Sequence, residues 1–384
     1  MKEKHNRKII YLAGFLFSIP IALVSYINSS FLGTFLDSKY ISIIYIIASI
    51  LTILGLLKMP KILKRLGNRI TILLSLFIIF ISLTLLALEN NVFTIIIAFI
   101  LYFISLNYIL SSLDVFLEDF SPKTSTGSLR GFYLMIINFA WIIAQIISSS
   151  IINKNNFSNI YLLGAGFIIL VAIIFIFFLR DFKDPEYKKF YILKTIKSFS
   201  QNKNILKIYF SNFILQFFYV WMIIYTPIYL NQYINFSWEK IGIIFSIMLL
   251  PFILLDFPLG KLSDKIGEKK MLIIGFSIIT LSVIAIPLIK ESIFWLWATI
   301  LFATRVGAAT IETMNESYFF KEITKENADE IIFFRNASSL SYVLAPLLAI
   351  PILVLVPSFE YLFFVLAVIL LIGFLISLKI KDVK

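Results

Sequence analysis

The chain of 384 residues is 60% apolar, with a mean hydropathy of +0.95 and 40 phenylalanines, more apolar surface than a water-soluble core of this size could hide. Its formal charge of +12 is explained by loop topology and attraction to anionic lipid, so no nucleic-acid partner is expected. With no cysteine and a single histidine, His5, disulfides, thiolate metal sites and histidine-based catalysis are excluded; no cofactor, metal or enzymatic activity is expected.

The opening MKEKHNRK runs into an apolar stretch without a small-residue cleavage site, which reads as a retained first helix after a charged tail rather than a signal peptide. Twelve spans of transmembrane length follow, at 10–35, 41–59, 70–88, 92–116, 131–152, 159–180, 207–231, 240–259, 270–289, 292–315, 332–356 and 359–379. Each span of the second six begins about 200 residues after its counterpart, the sign of a tandem duplication. Six is even, so the two copies are parallel repeats. The spacing predicts an all-α polytopic membrane protein of twelve transmembrane helices in two six-helix halves, 1–180 and 207–384. A cytoplasmic linker, 181–206, joins them; its alternation of basic residues with Phe190, Tyr191, Leu193, Ile196 and Phe199 reads as interfacial and partly helical.

Lys and Arg concentrate in the two tails, the linker and loops 2-3, 4-5, 8-9 and 10-11. The opposite loops carry only Lys39, Lys154, Lys240 and Lys290. Both termini are therefore expected on the cytoplasmic side of a plasma (inner) membrane, with anionic lipid beside them.

In lipid a polar side chain is costly unless it faces protein or a wet cavity. Helix 1 carries Ser18, Ser25 and Ser29, with Asn28 beside them. Helix 4 has Asn107, Ser111 and Asp114, and helix 5 has Asn138, Trp141 and Gln145. Helix 7 has Asn212, Gln216, Tyr219 and Thr226, helix 10 has Arg305 and Glu312, and helix 11 has Arg335, Ser339 and Tyr342. Helices 3, 6, 9 and 12 have no interior ionisable residue and suit lipid. Small-residue and hydroxyl packing explains about half of the Ser and Thr positions, but not a midplane Arg.

A glycine-centred basic phrase occurs twice: PKILKRLGNRI at 60–70 and GKLSDKIGEKK at 260–270. With the duplicated twelve-helix layout, this resembles the major facilitator superfamily of secondary transporters over essentially the whole chain. That family's loop signature, G-x-L-x-D-[RK]-x-G-[RK]-[RK], is matched by Gly260, Leu262, Asp264, Lys265, Gly267, Lys269 and Lys270, with Glu268 displacing the basic pair by one. The first copy keeps Arg65, Gly67 and Arg69 but has Pro60, Ile62, Asn68 and Lys64 where the signature has Gly, Leu, a basic residue and Asp. The family's helix-4 Arg pattern is absent from helix 4, where Ser105 and Asn107 stand, while helix 10 has Arg305, Gly307, Ala308 and Ala309. The helix-5 antiporter motif survives only as spacing, in Ala140, Ala144, Gln145, Ser148 and Ser149.

The resemblance implies two halves rocking about a midplane site that opens to each side in turn. The function it implies is transport of a small organic molecule, including export of lipophilic or amphipathic compounds, by a monomer. The alternative is a ligand sensor or scaffold with a transporter fold. No G-x-x-x-x-G-K-[ST] phosphate loop occurs, so energy would come from a gradient, with a proton as one partner, or the protein would be an uncoupled facilitator. A membrane enzyme has only Glu312, Glu316, Glu322 and Glu326 to draw on, without histidine.

Arg305 is the one charged side chain read at the midplane, where insertion costs about 2.5–3.5 kcal/mol and calls for an acidic partner, carbonyl partners or an anionic ligand. Candidate cavity residues are Arg305, Asn28, Asn107, Asn138, Trp141, Gln145, Gln216, Tyr219, Tyr225 and Tyr342, with Trp221 adding to the aromatic walls. Coupling candidates are Asp114, Asp256 and Glu312. The family's loop carboxylate is expected at a helix start in the opposite half. Asp264 is thus expected beside Arg130, and Lys64, charge-reversed, beside Asp329 or Glu330.

Overall fold

Residues 60–66 and 260–266 do not form the loops expected of them. Each continues the preceding helix, and the chain turns only at Gly67 and Gly267, whose φ angles of 80° and 87° lie in the left-handed region that suits glycine. The first of these helices ends on Lys64 and Arg65, cations favoured at a helix C-terminus, and the Gly67 N–H donates to the Leu63 carbonyl at 2.8 Å. What reads in sequence as a basic loop is therefore a cationic helix end with a one-residue hinge.

The computed structural model describes residues 2–88, 91–119, 126–151, 157–179, 201–322, 328–356 and 358–381. Twelve long helices lie among them: α1 (Lys2–Ser25), α2 (Ser38–Leu66), α3 (Asn68–Leu88), α4 (Val92–Asp119), α5 (Thr126–Ile151), α6 (Ser158–Phe177), α7 (Lys203–Ile228), α8 (Trp238–Ile266), α9 (Glu268–Ala285), α10 (Phe294–Glu322), α11 (Ala328–Leu355) and α12 (Tyr361–Leu378). Among the described residues there is no strand. Eleven of the helices are long and apolar enough to cross a membrane, and α5 supplies a shorter apolar stretch, Met135–Ser148. The chain is an integral membrane protein.

The first expected span, 10–35, is corrected. The helix begins earlier, at Lys2, and stops at Ser25; a turn at Tyr26 and Ile27 leads into a short helix, Asn28–Leu32. The linker read at 181–206 falls largely outside the described residues. Its end is visible, where the Asn202 side chain caps α7 by accepting from the Asn204 and Ile205 N–H groups at 3.0 and 3.2 Å.

The chain divides into two compact units, Met1–Leu36 with Ile47–Lys189, and Asp37–Ile46 with Phe190–Lys384. In the first unit α3 packs on α4 and α6, and α1 on α5 and α6. The second repeats the pattern six helices later, α9 on α10 and α12, and α7 on α11 and α12. The start of α2 is grouped with the second unit. There the Ser42 and Tyr225 hydroxyls lie 2.8 Å apart and Tyr45 stacks on Tyr342 at 6.2 Å.

The glycine phrase also anchors each half through the residue that follows it. Asn68 is fully buried and its Nδ2 donates to the Ser112 carbonyl of α4 at 3.0 Å. Glu268, at 3% exposure, accepts from Lys321 at 2.6 Å and Ser317 at 3.4 Å, both on α10. The displaced acid of the second phrase thus forms an interhelical ion pair between α9 and α10. Arg69 donates through Nε and Nη2 to the Phe175 and Ile176 carbonyls at the end of α6, at 3.0 and 2.9 Å.

Candidate functional site

Three charged residues in the interior of α10 fall on one stripe. Arg305, Glu312 and Glu316 are seven and four residues apart, so at 3.6 residues per turn they share a face. Arg305 lies near the midpoint of the apolar segment Phe294–Phe319. On another face, α10 meets α9 closely: a Cβ on Gly307 would come within 2.8 Å of the Gly275 carbonyl oxygen and of the Ile279 nitrogen. The small run after Arg305 is a helix-contact surface.

Arg305 is 1% exposed. Its guanidinium carbon lies 4.9 Å from the centroid of Phe218 and 5.6 Å from that of Tyr219, both on α7, and its Nη1 has no hydrogen-bond partner. The acidic partner considered from sequence is not found among the described residues. The two rings offer the cation π-density, a favourable contact that does not use the Nη1 donor.

Tyr219 joins this cation to the next residue of the stripe. Its hydroxyl donates to Glu312 Oε2 at 2.7 Å, and its ring also approaches Phe252 of α8 at 6.2 Å. One turn further, Glu316 takes a two-pronged bond from Arg335 of α11, at 2.5 and 3.0 Å. The second unit therefore contains a polar ladder of Arg305, Tyr219, Glu312, Glu316 and Arg335, in which Glu316 and Arg335 satisfy each other while Arg305 does not pair with Glu312. Gln216, three residues before Tyr219, is half-buried.

Other residues singled out from sequence are engaged elsewhere. Asn28 accepts from the Tyr161 hydroxyl at 2.9 Å, and Gln145, 2% exposed, donates to the Ala22 carbonyl at 2.8 Å. Ser148 donates to the Leu23 carbonyl at 3.3 Å. The break of α1 at Ser25 leaves its last carbonyls without helical donors, and α5 supplies them. Asn107 donates to the Phe103 carbonyl within α4 at 2.8 Å, Trp141 packs edge-on against Tyr26, and Asn138 is half-buried. Ser18 and Ser25 bond back to Gly14 and Ile21, the ordinary hydroxyl packing expected for part of the stripe.

Tyr225 and Trp221 are fully buried. They belong to an i, i+4 stack on α7 and its continuation, with Phe217–Trp221 at 5.3 Å and Trp221–Tyr225 at 5.4 Å. They are packing rather than open wall. Lys64 and Arg65 are exposed. The side chains of Asp114, Asp256, Asp264, Lys265, Arg130, Asp329 and Glu330, with Gly260, lie outside the described residues. Sequence reading missed the Glu268–Lys321 pair and the role of Tyr161. A polar or charged residue in the first turn after each hinge glycine was the available signal.

The sequence model of the Major Facilitator Superfamily matches residues 10–328 and again 208–383. A search of curated proteins finds no significant match. Solved structures share the fold at low identity. A bacterial homolog of the human lysosomal transporter Spinster, crystallised in an inward-facing and unoccupied conformation, is 15% identical at a TM-score of 0.74, covering 98% of this chain and 97% of its own. A variant of the nucleoside transporter NupG is 12% identical at 0.76, covering 97% and 99%. An auto-inhibited peptide transporter of the POT family is 11% identical at 0.75, covering 98% and 96%.

Proposed function

Because the chain belongs to the major facilitator superfamily, we propose that it carries a small organic molecule across the membrane by exposing one site to each side in turn, with Arg305 as the ligand's anchor and Glu312 as the proton carrier. The supporting observation is the ladder itself. A buried guanidinium whose Nη1 has no hydrogen-bond partner and a carboxylate on the same helix face are both contacted by one tyrosine, in a helix apolar enough to span. Ionisable groups inside a membrane helix are costly, and in transport folds their usual use is on a substrate or proton path. Glu312 is faced by Tyr219 from α7, by Arg335 from α11, and by Arg305 and Glu316 from its own helix. The aromatic surroundings suit an amphipathic molecule. The Lys and Arg asymmetry supports a plasma-membrane orientation with both termini cytoplasmic.

The test is flux in proteoliposomes over a panel of neutral, cationic and anionic organic molecules, with and without an imposed proton gradient. Flux that is lost in Arg305→Ala supports the reading. Robust flux unchanged by that substitution removes the site assignment, and saturable binding without flux selects the sensor alternative.

A further inference from the structure

We propose that the ligand class is an organic monocarboxylate carrying an aromatic or similarly flat apolar body, bound end-on by Arg305. This rests on the transporter reading for its role but not for its chemistry. Among the described residues two charged side chains are almost fully buried, Glu268 and Arg305. Glu268 is paired with Lys321, whereas among the described residues Arg305 has no ion pair and its Nη1 has no hydrogen-bond partner.

The geometry selects the ligand's head group. Phe218 and Tyr219 approach the guanidinium at 4.9 and 5.6 Å to their centroids. The hydroxyls of a sugar or the carbonyl of an amide could accept hydrogen bonds, but they would leave the charge itself unneutralised. A carboxylate matches the planar fork with two parallel N–H···O bonds and cancels the charge.

The neighbours narrow the class further. Glu312 lies two turns along α10, about 10 Å in rise, close enough in a low-dielectric interior for a second negative charge on the ligand to be repelled. That favours a monoanion over a phosphate dianion. The rings of Phe218 and Tyr219 lie beside the anchor, with Phe252 against Tyr219, and no second unpaired cation is present among the described buried residues to hold another acid group. Small inorganic anions would neutralise Arg305 but make no use of the rings of Phe218 and Tyr219 beside it. Apolar surface and a single charge therefore point to the same amphipathic molecule.

The experiment is thermal unfolding of the full-length protein in nanodiscs, titrated with phenylacetate and 4-phenylbutyrate, their amides, phenyl phosphate, acetate and inorganic phosphate. The acids are expected to raise the midpoint saturably, with amides at least tenfold weaker and acetate and both phosphates weaker than the aryl acids. Arg305→Lys, which keeps the charge but not the fork, is expected to weaken the acids about tenfold, and Arg305→Gln to abolish their effect. The amide comparison is made in the unaltered protein, so it stands even where a variant folds poorly. Amides equal to acids, acids unaffected by Arg305→Lys, inorganic phosphate as effective as the aryl acids, or no acid binding would each overturn the assignment. Arg305-dependent acid binding without flux upholds the assignment and overturns the transport reading. Arg305-independent flux of neutral compounds does the reverse.

Discussion

The Tyr219 hydroxyl donates to Glu312 Oε2 at 2.7 Å while the ring of the same residue lies 5.6 Å from the Arg305 guanidinium. One side chain thus contacts both ionisable groups of the site, by its edge and by its face. Tyr219→Phe keeps the ring and removes the bond. A hydrogen bond to a charged group contributes about 1.5–3 kcal/mol, so proton-driven flux is expected to fall roughly tenfold to a hundredfold, with expression and unfolding midpoint little changed. Equal flux in the two proteins would show that the hydroxyl plays no part.

Gly307→Ala tests the close approach that seats α10. The added Cβ would lie 2.8 Å from two backbone atoms of α9, the Gly275 oxygen and the Ile279 nitrogen, and neither can rotate away. The helices must separate, at a cost of about 1–3 kcal/mol. The expected result is a lowered unfolding midpoint in nanodiscs, and an unchanged one would contradict the contact.

The Glu268–Lys321 pair is asymmetric, with side-chain exposures of 3% and 41%. Lys321→Met leaves a buried carboxylate without its cation, whereas Glu268→Gln leaves a lysine that can reach solvent. The lysine substitution is therefore expected to destabilise more, up to about 3–5 kcal/mol for an uncompensated buried charge. Thermal unfolding of the two variants side by side reads the order directly, and the opposite order would contradict it.

Gln145→Leu is expected to act on the fold rather than on ligand affinity. Its Nε2 serves the Ala22 carbonyl at the break of α1, and leaving a buried carbonyl unsatisfied costs about 1–3 kcal/mol. The midpoint should drop while the half-saturation concentration for flux stays within about twofold. A large affinity loss at an unchanged midpoint would return Gln145 to the ligand site.

The layout was legible because lipid imposes it: apolar runs of fixed length and a 200-residue echo are visible without contacts. Arg305 stood out for the same reason, as a charge near the midpoint of an apolar segment whose two acids, Glu312 and Glu316, lie nearer its end. Polar stripes were less informative about partners. Asn28 and Gln145 were rightly placed inside, but their partners, Tyr161 and the Ala22 carbonyl, are more than a hundred residues away, and the second is exposed only by a break in α1 that hydropathy does not mark. The signature phrase misled in another way. Its glycine and basic residues suggested a loop, but helix propensity carries through to residue 66 and the glycine alone makes the turn. Glu268 looked like a departure from the pattern until its burial and its partner, Lys321, 53 residues on, were in view.

The most direct test of the account is to compare proton-driven accumulation with substrate exchange in proteoliposomes of the unaltered protein and of Glu312→Gln. If Glu312 carries the proton, the variant should lose accumulation driven by an imposed proton gradient, because it cannot release or take up the charge, while exchange of labelled for unlabelled substrate at equal concentration persists. Accumulation in Glu312→Gln equal to that of the unaltered protein would contradict it.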